Sequence, residues 1–180
     1  MSNALVVVDM QNDFIDGALS NSAAQVIVDK IVKLVSKWEG LIVLTRDTHF
    51  DDYLETMEGK HLPIPHCLHK TNGWEVHPKI VAAVKNNRKA RLVYLDKTSF
   101  GASNSLSATF NGHYGVGVAP KEIHFCGTCT DICVISNVLP MKALYQEVPI
   151  YVHENLCAGL TPEKHAAAIE VMKSCQVEVI

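Results

Sequence analysis

Long apolar runs and an excess of charge of one sign are both missing from this 180-residue sequence. No uninterrupted apolar stretch approaches the roughly 18 residues that a membrane-spanning helix needs. The opening segment MSNALVVVDMQNDF reaches an aspartate too early to contain the apolar core of a secretory signal. The formal net charge of -3 gives no electrostatic reason to expect binding to nucleic acid or to an anionic membrane. We therefore expect a soluble cytoplasmic protein with neither kind of partner.

A disulfide framework is also not expected, although the chain has six cysteines. Without a secretory signal, these cysteines are better explained as cytosolic thiols. Internal repeats, low-complexity tracts and linkers are absent as well, and a chain of this length can bury one substantial core. The sequence therefore predicts a single domain over residues 1–180.

Short β-branched runs alternate with longer amphipathic segments. The pattern predicts strands at 4–10, 40–47, 90–97, 121–127, 148–154 and the last four residues, and helices at 23–38, 77–87, 130–146 and 161–175. Continuous apolar strands that alternate with helices favour a mostly parallel sheet with helices on both faces. The expected fold class is a doubly wound, three-layer α/β/α architecture.

Two of the predicted helices carry specific signals. In the helix at 23–38, the apolar spacing puts a set of side chains on one buried face: Val26, Ile27, Ile31, Leu34 and Val35. The helix at 161–175 opens with Thr161 as the N-cap residue and Pro162 in the first helical position.

Polar residues stand where four of the predicted strands end. The first strand ends in Asp9, the second in RDTH (Arg46, Asp47 and His49), the third in Asp96 and Lys97, and the fourth in the turn CGTCTDIC at 126–133. Because the functional crevice of a parallel sheet lies beyond the carboxyl ends of its strands, these groups can share one crevice.

The turn at 126–133 holds three cysteines, which allow three interpretations. A zinc or iron-sulfur site would use Cys126, Cys129 and Cys133, but no fourth ligand follows nearby. A redox pair is disfavoured because CGTC ends the fourth strand instead of opening a helix after the first. A nucleophile at Cys133 would lie in the first turn of a helix capped by Thr130 or Asp131, where the helix dipole lowers a thiol pKa. A buried structural cysteine is the remaining alternative.

A cysteine nucleophile needs a group that takes its proton and a positive group that stabilises charge. Asp9 and Lys97 can supply a base and a cation at the same crevice. Taken one at a time, Asp9 could equally cap a turn, and Lys97 could be a solvated surface lysine.

Six blocks of the chain, in order, resemble the isochorismatase-like cysteine hydrolases, especially their nicotinamidase/pyrazinamidase branch. The blocks are VVVDMQNDF, TRDTHF, PIPHCLHKTNGWEVHP, DKTSFGA, GTCTDICV and CAGLTPEKHAAAI. The resemblance implies a catalytic triad of Asp9, Lys97 and Cys133. It also implies an oxyanion hole made by the backbone N–H groups of Cys129 and Cys133, with a cis peptide between Thr128 and Cys129.

The same resemblance implies a metal site. Its ligands would be Asp47, His49 and His66, with Glu58 or Glu55 as a further ligand. Such a set suits one divalent ion, zinc in the first place, with iron and manganese as alternatives. The ion would hold a ring nitrogen of the substrate, and His61 and His69 are expected to be solvated loop residues.

The segment that would contact a substrate ring departs from the family pattern. Family members often carry a tryptophan three residues before the Pro-His-Cys histidine, where this chain has Pro63 with Leu62 beside it. Phe14 and Phe100 remain as candidates for packing against the ring, and Trp74 is expected to be structural.

Together these features predict a metal-containing cysteine amidohydrolase that converts nicotinamide to nicotinate and ammonia through a thioester, a reaction of pyridine nucleotide biosynthesis. One alternative is a related hydrolase that acts on another small amide or carbamoyl compound. A second is a non-catalytic binding protein on the same fold. The expected partner is a small-molecule amide, and the oligomeric state is left open, a homo-oligomer included.

Overall fold

A six-stranded sheet forms the centre of the protein in a computed structural model that describes residues 2–180. The strands are β1 (Asn3–Val8), β2 (Gly40–Asp47), β3 (Ala90–Lys97), β4 (Ile123–Thr128), β5 (Ile150–Ala158) and β6 (Glu178–Val179). They lie in the order β3-β2-β1-β4-β5-β6, and every neighbouring pair is parallel. This is the strand order of a doubly wound sheet, so the predicted fold class is confirmed.

In the described part of the chain, seven α-helices connect the strands: α1 (Asn12–Ile15), α2 (Ser22–Val35), α3 (Met57–His61), α4 (Pro78–Asn86), α5 (Ser103–Tyr114), α6 (Ile135–Leu144) and α7 (Pro162–Ser174). Right-handed crossovers place the helices that follow β1 and β2 on one face of the sheet and those that follow β3, β4 and β5 on the other. The contacts agree, because α2 packs against α4 while α6 packs against α5 and α7. Within residues 2–180, no helix is both long and apolar enough to span a membrane.

The central strand β1 shows why the strands read as unbroken apolar runs. Every residue from Ala4 to Val8 is buried, on both faces of the sheet. A strand covered by helices on both sides has no solvent face, and therefore no reason to alternate apolar and polar residues.

Helix α2 corrects one sequence prediction. Val26 was placed on the buried face, but its side chain is 65% exposed. The buried stripe instead includes Ala24 and Val28 together with the predicted Ile27, Ile31 and Val35. These positions follow the i, i+3, i+4, i+7 spacing of one helical face, and Val26 lies outside it.

The capping residues at the start of α7 agree with the sequence prediction, whereas α5 has too little amphipathic pattern to be predicted. The Thr161 hydroxyl accepts a hydrogen bond from the Lys164 N–H, and Pro162 is the first helical residue. Helix α5 was not predicted. Its sequence SNSLSATFNGHY buries only Leu106 and Phe110, which leaves little amphipathic pattern to detect.

Candidate active site

Three of the predicted site residues meet where the helices after β1 and β4 leave toward opposite faces of the sheet. Such a topological switch point opens a crevice beyond the strand ends. Asp9 follows β1, Lys97 is the last residue of β3, and Cys133 lies shortly after β4. Asp9 has a positive φ of 47°, so the chain turns sharply as it leaves the strand.

Lys97 connects the acidic groups to the thiol. Its Nζ lies 2.8 Å from Asp9 Oδ2, 3.2 Å from Asp47 Oδ1 and 3.7 Å from Cys133 Sγ. Thr45 Oγ1 donates a 2.6 Å hydrogen bond to the other oxygen of Asp9. Lys97 is almost completely buried and is therefore not the solvated lysine considered from the sequence. The partners of the buried Asp9 carboxylate are the side chains of Lys97 and Thr45, which does not fit a turn cap.

Burial and charge set the protonation of this group together. Burial lowers the Lys97 pKa, but the nearby Asp9, Cys133 and Asp47 outweigh it and raise the pKa overall, which keeps the ammonium charged. Burial raises the pKa of Asp9, while the Lys97 charge opposes that rise. Burial also raises the Cys133 pKa well above its ordinary value, and the Asp9 charge adds to the rise against Lys97.

The raised Cys133 pKa corrects the expectation that the helix start lowers it. The reason is desolvation, since the side chain is only 5% exposed and a buried thiolate loses its hydration. The surroundings of Cys133 thus favour its thiol form over the thiolate, and Asp9 is a neighbouring carboxylate that acts on its pKa.

The cysteine-rich turn has a different backbone from the one predicted. Residues Thr130–Val134 form a π-helical turn, and α6 starts only at Ile135. Neither proposed cap is used: Thr130 Oγ1 is hydrogen-bonded to His165 Nδ1 at 2.8 Å, and Asp131 Oδ1 accepts from the Leu160 N–H at 2.9 Å.

Two further features fix this turn. The peptide between Thr128 and Cys129 is cis, as the family resemblance implies. The Asn137 side chain donates a 2.7 Å hydrogen bond to the Cys133 carbonyl, while its oxygen accepts from the Ala102 N–H at 2.8 Å. Asn137 thus connects the turn that carries Cys133 to the segment that carries Phe100.

Four side chains converge beside this group. One ligand atom from each of Asp47, His49, Glu58 and His66 lies within 4.8 Å of all the others. His49 Nε2 is 3.1 Å from Asp47 Oδ2 and 3.6 Å from Glu58 Oε1, and His66 Nε2 is 3.7 Å from each of those oxygens. Glu55, the other sequence candidate, is exposed on the 3-10 turn Tyr53–Glu55.

The donor set and its orientation fit a divalent metal. Two imidazoles and two carboxylates suit zinc, iron or manganese. His66 Nδ1 is 2.9 Å from the Ile64 carbonyl, so this nitrogen carries the proton and donates. The lone pair of His66 Nε2 is therefore free to face the other three ligands.

Gln11 is a site residue that the sequence analysis missed. Its fully buried amide donates to the carbonyls of Asp47 and Trp74, both at 2.8 Å, and accepts from the Asp47 N–H at 2.7 Å. These bonds hold the backbone of Asp47, whose side chain contacts Lys97 and is also a member of the ligand group Asp47, His49, Glu58 and His66. The only sequence signal was a glutamine directly after the first predicted strand, in the block that also contains Asp9 and Phe14.

A cavity of about 1080 Å³ lies beside Cys133 and beside the four converging ligand side chains. Its walls include Cys133, Asp47, Glu58 and His66, and the two predicted ring contacts, Phe14 and Phe100. Leu62 and His61 also line it, whereas Pro63 is exposed outside the set of lining residues. Trp74 and His69 lie outside that set as well, and Trp74 Nε1 donates to Thr48 Oγ1.

The remaining cysteines do not form a cluster. All six are free thiols, and Cys126 is fully buried within β4. Among residues 2–180, the ligand group described above is the one set of side chains that could hold a metal, and it contains no cysteine. The alternative of a cysteine metal cluster is therefore not supported.

Comparison with known proteins places this geometry in a family. The isochorismatase domain family matches residues 3–180. An isochorismatase family protein of Bacillus subtilis is 28% identical, over 94% of this chain and 93% of its own length. The nicotinamidase/pyrazinamidase of Mycobacterium tuberculosis is 27% identical, over 98% of this chain and 97% of its own length.

A solved structure supports the same assignment. The pyrazinamidase of Pyrococcus horikoshii in complex with zinc superimposes with a TM-score of 0.76 at 27% identity, over 100% of this chain and 99% of its own. The family match, the curated relatives and the shared fold lead to one conclusion: this chain belongs to the isochorismatase family.

Proposed function

We propose that this chain is a metal-containing amidohydrolase that converts nicotinamide to nicotinate and ammonia through a thioester on Cys133. One observation carries the proposal: Lys97 Nζ reaches Asp9, Asp47 and Cys133 at the wall of a cavity where four metal-type ligands converge. Relatives that carry the name nicotinamidase, from Schizosaccharomyces pombe and Mycobacterium tuberculosis, support the choice of substrate.

Acylation begins with proton transfer from the Cys133 thiol to Asp9. The sulfur then attacks the amide carbon, and a C–S bond forms while the carbonyl oxygen becomes negative. The backbone N–H groups of Cys129 and Cys133 donate to that oxygen. The C–N bond breaks as Asp9 returns the proton to the nitrogen, which leaves as ammonia.

Deacylation uses the same groups in the reverse sense. Water attacks the thioester carbon, Asp9 accepts the water proton, and the C–S bond breaks. The second water proton passes from the carboxyl group to solvent, nicotinate leaves, and the proton held by Asp9 returns to the Cys133 sulfur. Lys97 stays charged throughout, keeps Asp9 in place and stabilises the thiolate.

A divalent ion would be held by Asp47, His49, Glu58 and His66, and Asp47 also contacts Lys97 of the triad. The ion would supply a Lewis acid for the ring nitrogen of the substrate. Phe14, whose ring packs edge-on against His66 at 5.6 Å, would confine the ring on that side.

The test is a measurement of ammonia and nicotinate from nicotinamide with the metal-loaded full-length protein. The proposal predicts equal amounts of both products. A panel of unrelated small amides and carbamoyl compounds provides the comparison. Turnover of one of those compounds without turnover of nicotinamide would contradict the proposed substrate and leave the hydrolase chemistry.

A further inference from the structure

The cavity over Cys133 is much larger than nicotinamide requires. Pockets that enclose drug-sized ligands occupy roughly 300–1,000 Å³, and this cavity measures about 1080 Å³. Nicotinamide is a single six-membered ring with one carboxamide. When its ring lies beside the ligand group and its amide lies at Cys133, most of the cavity is still free.

The free part of the cavity is neutral and largely apolar. Its walls away from the ligand group include Leu19, Met57, Leu62, Phe100, Ile132 and Leu160. Of the described residues that line the cavity, none is lysine or arginine, whereas Asp47 and Glu58 are acidic. Polar side chains line other parts of the cavity: Ser20, Asn21, Ser22, His61, Thr98 and Ser99. A phosphate or carboxylate on the substrate would find no lysine or arginine in these walls, and an uncharged apolar group would find the apolar side chains named above.

The mouth of the cavity exposes apolar side chains to water. Met57 is 68% exposed, Leu160 51% and Phe100 45%, while Leu62 is half-buried behind them. Exposed apolar groups that are continuous with a binding cavity mark a ligand-binding surface. A substrate that reached the mouth would cover them.

The burial of Asp9 indicates whether an additional substituent would lie on the acyl side or on the nitrogen side of the substrate amide. The departing nitrogen must receive its proton from Asp9, which is 0% exposed and does not line the cavity. The nitrogen must therefore lie against the closed inner end of the cavity, where an unsubstituted NH2 group fits and a bulky amine does not, and ammonia leaves through the cavity. The additional group therefore belongs to the acyl part of the substrate.

Building on the proposed amidohydrolase function, we propose that the preferred substrate is an aromatic carboxamide whose ring carries an uncharged apolar substituent. The chemistry is unchanged. Cys133 forms the C–S bond, the C–N bond breaks with release of ammonia, and water converts the thioester to the substituted carboxylate. Leu62, Met57 and Leu160 are the residues that select the substituent.

The experiment compares kcat/KM for nicotinamide, for ring analogues that carry a butyl or phenyl group at each open ring position, and for an analogue whose substituent ends in a carboxylate. Ammonia release by the metal-loaded full-length protein is the readout. We expect at least one butyl or phenyl analogue to exceed nicotinamide by about tenfold or more, as apolar pocket contacts allow. The carboxylate analogue should fall below nicotinamide.

Two variants that fill the cavity with a larger side chain, and one control variant, test where the apolar substituent binds. Leu62→Trp, and independently Leu160→Trp at the more exposed rim, should shift selectivity toward nicotinamide by about tenfold. Val171→Trp, on the exposed side of α7 and away from the cavity, should leave the selectivity unchanged. Leu160→Trp keeps the test valid if Leu62→Trp does not fold.

The outcomes separate this proposal from the proposed function. Turnover of nicotinamide with all apolar analogues tenfold slower would overturn the extended substrate and leave the amidohydrolase intact. Equal losses for both substrates in the two filling variants would also overturn it. Absence of ammonia from every aromatic carboxamide would overturn both.

Discussion

Polar clusters occur at both ends of the same sheet, and they differ in where their polar atoms point. Near the amino-terminal ends of β4 and β5, His124 Nε2 donates to Glu122 at 3.3 Å, and its Nδ1 accepts from His153 Nε2 at 3.0 Å. Asn3 donates to the same Glu122 oxygen at 2.9 Å, and Tyr151 stacks on the His124 ring. None of these residues lines the cavity over Cys133.

At the carboxyl ends, the same kinds of side chain converge on a cavity. The imidazole nitrogens of His49 and His66 meet the carboxylates of Asp47 and Glu58, and Lys97 holds its charge beside a thiol. This difference distinguishes histidines with a structural role from histidines that can bind a metal. A buried histidine whose ring nitrogens are satisfied by protein neighbours stabilises the fold, and one whose free nitrogen joins other ligand atoms beside a cavity can hold an ion.

The largest effect should come from Cys133→Ala. Removal of the sulfur removes the covalent step, so the rate of ammonia release should fall by at least about 10³-fold. Metal content should stay near wild type, because Cys133 is not one of the four converging ligands. Cys129→Ser should remain within about tenfold of wild type, since its proposed role uses only the backbone N–H; a dead Cys129→Ser with intact metal content would contradict the choice of nucleophile.

Asp9→Asn should cost about 10²- to 10⁴-fold in the acylation rate, in line with general acid–base catalysis. The amide cannot accept the thiol proton, and burial, the largest cause of the raised Cys133 pKa, persists in the variant and still disfavours the thiolate. Substrate affinity should change far less, because the ring is held elsewhere. Single-turnover kinetics measure the step directly, and acylation near the wild-type rate would reduce Asp9 to a structural role.

Two neighbouring glutamates provide a matched test of the ligand group. Glu58→Gln should weaken metal binding by about 10- to 100-fold or more, because it removes a charged oxygen from the converging set. Glu55→Gln, three residues away and exposed, should keep about one ion per chain. Elemental analysis after dialysis against a weak chelator distinguishes them, and equal metal content in both variants would exclude Glu58 as a ligand.

The smallest effect concerns the cluster at the opposite edge, and it should appear in stability and not in activity. Burial, with a smaller contribution from His124, lowers the His153 pKa from 6.5 to about 4. Between these pH values the unfolded chain binds more protons than the folded one, so stability falls as the pH drops through this window. His153→Gln should lessen that fall, as urea unfolding at pH 7 and pH 4.5 would show.

The control for that prediction is His69→Gln, an exposed histidine outside the cluster. It should show the same loss of stability on acidification as wild type. If His153→Gln lost as much stability on acidification as wild type, the pair of His124 and His153 would contribute nothing to the acid sensitivity of the fold. If His153→Gln abolished turnover, the assignment of a structural role to this cluster and a catalytic role to the opposite end of the sheet would be wrong.

The features predicted best from the sequence are those that follow from regular strands, namely the sheet and the residues at its strand ends. Parallel strands place their carboxyl ends at one edge, so Asp9, Lys97 and Cys133 could be expected together from strand positions before any family likeness was considered. The sheet itself followed from unbroken apolar runs such as Ala4 to Val8.

The misses lie where local pattern carries little information. Glu58 was the preferred fourth ligand, but Glu55 stayed open because both glutamates lie near the junction of two short helical segments, the 3-10 turn Tyr53–Glu55 and α3. The Thr56 side chain, which accepts from the Gly59 N–H at the start of α3, was a cap signal that the sequence analysis did not use. The π-helical turn at Thr130–Val134 has the composition of an ordinary helix start, and its expected caps are used by Leu160 and His165. Gln11 gained its role through partners far along the chain, a tertiary effect that no short window contains.

The central claim is that Cys133 becomes acylated by the substrate. Acid quenching during turnover of nicotinamide, followed by peptide mass spectrometry, tests it most directly. The account predicts a nicotinoyl adduct on the peptide that contains Cys133, which accumulates within the first turnover and is absent from Cys133→Ala. An adduct on Cys126 or Cys129, or rapid turnover with no adduct on any cysteine, would contradict it.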